Sequence, residues 1–89
     1  MQIRKKQLYA IYDKKTETWS NPFVHITRLE AIRSFTDAVN KQNEQSLIYA
    51  HPEDFDLWLI GEYNEVDGVI DPKKDHIGNG LDYKQEQVH

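Results

Sequence analysis

The chain has no cysteine in its 89 residues, so neither a disulfide framework nor a thiolate metal centre holds it together. It has no internal repeat and no low-complexity tract. No apolar run approaches the roughly 20 residues of a membrane span. The start Met1-Gln2-Ile3-Arg4-Lys5-Lys6 also lacks the apolar stretch of a signal peptide, so a soluble, intracellular chain with no membrane partner is expected. His25, His51, His76 and His89 stand at no metal-ligand spacing. None of Ser20, Ser34 and Ser46 lies in a Gly-x-Ser-x-Gly elbow, and Gly78-Asn79-Gly80 falls in a polar stretch rather than between a strand and a helix. These absences predict a protein that is not an enzyme and that carries neither metal nor cofactor.

What is present is enough to fold. Hydrophobic residues make up 38% of the chain and include two tryptophans, five tyrosines and three phenylalanines, too much bulk for a disordered tail. A domain this small leaves roughly a third of its unfolded-chain surface exposed, which makes self-association a natural supplement. The net charge of −4 is unevenly spread. Residues 1–41 carry eight basic against four acidic side chains, and residues 42–89 carry three against eleven. A local basic patch is therefore compatible with an acidic protein, and so are two solvated faces that attract one another between subunits.

Lys6 to Asp13 mixes aromatic and β-branched residues over strand length and reads as the first strand. Residues 14–22 read as a connection whose Trp19 folds back onto the body. Thr27-Arg28-Leu29-Glu30 is a capping box that opens a helix with Ala31, Ile32, Phe35, Ala38 and Val39 on one face. Glu30 with Arg33 and Asp37 with Lys41 are spaced as helical ion pairs. Ser46 to Ala50 fits a brief strand or a turn of helix, and His51-Pro52-Glu53-Asp54 fits a single helical turn. Phe55 to Tyr63 is the strongest strand, and Asn64 to Gly68 supplies a hairpin turn before Val69-Ile70. The expected fold is α+β: a βαββ domain over residues 1–70, a three-stranded mixed sheet with one helix on one face. A crossover through the helix would make the first two strands parallel. Residues 71–89 read as a polar tail, mobile or docked on a partner.

Both faces of that sheet are apolar. Leu8, Ala10 and Tyr12 oppose Tyr9 and Ile11, while Leu57, Leu59 and Tyr63 oppose Trp58 and Ile60. One helix covers one face, so a second cover is predicted: a homodimer, the Trp19 and Phe23 region with the tail, or a ligand stacked on aromatics. Arg4, Lys5, Lys6, Lys14 and Lys15 flank the first strand, with Tyr9, Tyr12, Trp19 and Trp58 nearby. Cations neutralise phosphates and rings stack on unpaired bases, a mixture suited to single-stranded rather than duplex DNA. The candidate nucleic-acid residues are Arg4, Lys5, Lys6, Lys14, Lys15, Tyr9 and Trp58. The competing reading is an interaction or assembly module that never touches DNA.

Leu8 to Asp13, Asn21-Pro22-Phe23, Ala31 to Phe35, and above all His51 to Tyr63 with Gly68-Val69-Ile70 resemble the small nonstructural protein of gokushoviruses, Microviridae phages with single-stranded DNA genomes. The resemblance spans residues 8–70 and is most specific from His51 to Glu62. It implies a protein made in the cytoplasm of the infected bacterium, binding DNA or phage or host replication proteins during single-stranded genome synthesis or packaging. It implies no active-site residues.

Overall fold

The structure, a computed structural model, describes residues 5–43 and 45–85. Its elements in chain order are β1 (Lys5–Asp13), β2 (Thr18–Trp19), β3 (Phe23–His25), α1 (Arg28–Asn40) and α2 (Leu47–Ala50). A 3-10 turn (Pro52–Asp54), β4 (Phe55–Asn64), β5 (Ile70–Asn79) and α3 (Gly80–Tyr83) follow. The five strands form one sheet in the order β2-β1-β4-β5, with β3 also on β1, and every pairing is antiparallel. This overturns the three-stranded mixed sheet with a single helix.

Each departure has a local cause. The connection after β1 turns back on itself. Asp13 Oδ1 accepts from the Lys15 and Thr16 amides, at 2.9 and 3.4 Å, and Glu17 at φ 59° closes the reversal into β2. β2 and β3 lie in succession along the outer edge of β1. Between them the register slips by one residue, from Tyr12↔Trp19 to Tyr9↔Phe23, which turns Phe23 to the face opposite Trp19. The chain therefore enters α1 from β3, and the helix crosses from β3 to β4. Those two strands run parallel to one another with β1 between them, so β1 and β4 pair antiparallel. The helix was expected to cross between the first strand and Phe55–Asn64 and make them parallel; it departs from β3 instead, and that expectation fails.

The expected tail is the second correction. Residues 70–79 form β5, paired along β4 from Tyr63↔Ile70 to Asp56↔Asn79. Its Asp, Pro and Lys residues are poor strand formers, but β5 is an edge, where charge and proline protect against aggregation. Gly68 at φ 75° permits the turn, and the Asn64 amide donates to the Val69 carbonyl at 3.0 Å. Beyond β5, α3 is tied to α1. Asn40 Nδ2 donates to the Tyr83 carbonyl at 2.9 Å, and Lys84 Nζ donates to the Val39 carbonyl at 2.7 Å, placing a cation at the negative end of α1.

The helix starts as its sequence demands. Thr27 Oγ1 accepts from the Glu30 amide at 3.2 Å, while the Glu30 carboxylate reaches the Ile26 amide at 3.4 Å rather than that of Thr27. Among the described residues the expected Glu30–Arg33 and Asp37–Lys41 pairs do not form; Glu30 lies 3.9 Å from His25 instead. Ala31, Phe35 and Val39 pack on Tyr9, Leu57 and Leu59, and Ile48 of α2 and Tyr83 of α3 join the same core. All three helices thus serve one face of the sheet, called the front below.

Candidate nucleic-acid interface

Strand register decides what stands on the other face, the back. Ala10 pairs with Trp58 and Trp58 with His76, while Tyr12 pairs with both Trp19 and Asp56. Directly opposed residues project to the same side. A bulge at Ile60 shifts the ladder between Tyr9↔Leu59 and Leu8↔Gly61. It moves Tyr63 to the Trp58 side, against the plain alternation expected of β4. The back face therefore carries aliphatic residues at one end and an aromatic group at the other.

That aromatic group is tightly associated. Tyr12 and Trp19 have ring centroids 4.8 Å apart, Trp19 meets Trp58 edge-on at 5.8 Å, and Trp58 meets His76 at 5.0 Å. Lys74 Nζ stands 4.3 Å from the Trp19 ring centroid. Trp19 remains 41% exposed. The expectation that Trp19 folds back onto the sheet holds, and it covers part of the back face. The Trp58 indole Nε1 is buried with no hydrogen-bond partner among the described residues, a state that costs about 1 to 3 kcal/mol.

Asp56 organises the rim of this group. Its buried carboxylate accepts from Asn79 Nδ2 at 2.7 Å and lies 3.7 Å from Lys14 Nζ and 3.4 Å from His76 Nε2. Asn79 also donates to the Glu53 carbonyl at 2.9 Å. Gly78 and Gly80 beside it are set by close approach: a Cβ at Gly80 would lie 2.2 Å from the Pro52 carbonyl oxygen. Gly78-Asn79-Gly80 is thus a clasp holding the end of β5 against the Pro52 turn.

The residues singled out from the sequence divide. Trp58 and Lys14 belong to the aromatic end of the back face. Tyr9 does not: it is fully buried in the front core, where burial pushes its phenol above the ordinary 10.0 against the opposing pull of the Arg28 guanidinium. Lys5 and Lys6 occupy the far end of β1, about 25 to 30 Å from Lys14 at roughly 3.3 Å per residue. Lys6 is held by Glu65 at 3.5 Å. Lys15 is exposed in the turn after β1, and Arg4 lies outside the described residues. The basic residues therefore do not form one patch.

Lys74 and His76 were missed because β5 was read as a tail. A signal existed: a hairpin turn after a ten-residue strand calls for a partner of similar length. On the front side of β5, Lys73 lies 3.2 Å from Glu62, a hydrogen bond that, with the Asp71 charge, raises its pKa above the ordinary 10.5. His51, Glu53 and Asp54 bring potential ligand atoms within 4.8 Å of one another beside the Pro52 turn. His51 and Glu53 are exposed there, and His51 Nδ1 lies 3.6 Å from Glu53.

The described residues form a class of small helix-backed antiparallel sheet whose uncovered face carries an aromatic group. The Phage ORF5 protein family model matches residues 6–83, and the chain belongs to that family of small phage proteins. It is 32% identical over 66 residues to Protein ORF5 of Chlamydia phage 1, a gokushovirus of the Microviridae, covering 72% of this chain and 69% of that protein. A phage protein of this kind is present in the infected host. No solved structure matches the chain. No helix among the described residues is long and apolar enough to cross a membrane.

Proposed function

We propose that this chain is a non-enzymatic accessory protein that binds single-stranded DNA in the cytoplasm of the infected bacterium. It does so during synthesis or packaging of the phage genome, alone or with replication proteins. The observation that carries the reading is the back-face group of Tyr12, Trp19, Trp58 and His76 with Lys74 and Lys14 at its margin. Each base stacked on such a ring contributes about 1 to 3 kcal/mol, and unpaired strands alone present free base faces. Pairing of two copies belongs to the same reading. Leu8, Val24 and Ile70 gather at the aliphatic end of the back face, where Val24 and Ile70 are 48% and 57% exposed. A dimer joined there would leave two aromatic ends free to act on one strand.

The test is titration of the full chain with oligothymidylate and with a duplex, at low and moderate salt, followed by tryptophan emission. Preferential single-strand binding that weakens with salt and is weakened further in Trp19→Ala supports the reading. An absence of single-strand binding at low salt overturns it, leaving a module that contacts only protein.

A further inference from the structure

Lys74 differs from its neighbour Lys73 on the front and from Lys14 on the back in what it touches. Lys73 is held by Glu62 and Asp71, and Lys14 lies against Asp56. Lys74 has no carboxylate partner among the described residues, and its ammonium stands 4.3 Å from the Trp19 ring centroid and 6.0 Å from that of Trp58. Tyr12 leans on Trp19 at 4.8 Å. A base cannot lie on a ring face that an ammonium already occupies. Close by, the Trp58 indole N–H is buried and unpartnered, so the arrangement leaves one donor unused.

We infer that Lys74 is a resident cation that the first base displaces. The base takes the Trp19 ring face, and the released ammonium moves on its flexible stem to the phosphate of the bound strand. The inference rests on the single-strand reading above and adds an exchange to it: one cation–ring contact is given up for one base–ring contact and one phosphate contact. Binding at this site is therefore both a stacking event and a phosphate contact, delivered by neighbouring residues of two strands.

Lys74→Met separates the two, because it keeps an apolar stem and removes the charge. The probe is oligothymidylate, the readouts are the slope of log affinity against log salt and the tryptophan emission of free and bound protein, and far-ultraviolet circular dichroism confirms the fold. The slope is expected to flatten by about 0.7, the share of one phosphate contact on a single strand. Binding should weaken at low salt and match or exceed wild type at high salt, where the vacant ring costs the base nothing to enter. Emission of the free variant should differ from wild type, while the two complexes emit alike. A wild type that binds, with an unchanged slope in Lys74→Met, overturns the exchange and leaves the single-strand reading standing. A wild type that binds no oligothymidylate overturns both.

Discussion

The two faces of this sheet use the same residue types for opposite ends. On the front, Tyr9, Phe35, Leu57 and Val39 lose essentially all contact with water under three helices. On the back, half-buried Tyr12 and Trp58 lean on the exposed Trp19, with Lys74 against its ring. Aromatic content alone does not separate a core from an exposed face. What separates them is which face the helices take, and that is decided by the path of the chain through β2 and β3. The front holds the fold, and the back is the face proposed above for contact.

The sharpest way to break this comparison is to truncate one large ring on each side. Phe35→Ala leaves a cavity beneath α1 and is expected to destabilise by about 3 to 5 kcal/mol, enough to threaten folding of so small a domain. Urea denaturation checks it. A loss under 1 kcal/mol would mean that the front is not the core. Trp19→Ala should leave the urea midpoint nearly unchanged and lower oligothymidylate affinity by about 1 to 3 kcal/mol. A large stability loss without a binding loss would make the back face structural and end the contrast.

Gly80→Ala tests whether the C-terminal segment belongs to the front-face architecture. A methyl group there meets the Pro52 carbonyl oxygen at 2.2 Å, a backbone atom that cannot step aside cheaply. Overpacking of this kind costs about 1 to 3 kcal/mol. The expected result is faster amide exchange in α3 and at the end of β5, with β1 protected as before. Exchange that rises equally everywhere would show the clasp to be part of the global unfolding unit rather than a local one.

The elements that were legible in the sequence are those whose signal is local. The Thr27 cap, the Ala31, Phe35 and Val39 stripe, the Phe55 strand and the Gly68 turn each depend on residues within one or two turns of chain. β5 was not legible because Ile70–Asn79 is a strand only by virtue of the β4 backbone beside it. Sheet direction was misjudged because the β2 and β3 reversal, carried by five residues, changes the strand from which the helix departs. Bulges at Ile60 and between β2 and β3 invert the alternation beyond them, and no residue pattern announced either. The candidate site was half visible for the same reason. Trp58 lies on a strand read correctly, whereas Lys74 lies on one read as tail, and Tyr9 was named as a candidate stacking residue because alternation does not say which face is covered.

The smallest effect at neutral pH sharpens that last point about Tyr9. Tyr9→Phe removes one hydroxyl that donates to Gln7 and is expected to cost about 1 kcal/mol or less at pH 7. Its consequence lies at alkaline pH. Burial raises the Tyr9 phenol above 10.0, so the fold favours the neutral form; that contribution is complete below pH 10.0 and is lost as pH rises through the raised value. The Lys73 ammonium, held by Glu62, is raised above 10.5 and its contribution is lost in the same direction. Wild type should therefore lose stability above about pH 10, and Tyr9→Phe should lose less of it because only the Lys73 share remains. Thermal melts of both proteins from pH 8 to 11 read this directly. Parallel curves would mean that the phenol reaches water in the fold, which would return Tyr9 to the exposed face from which its burial removed it.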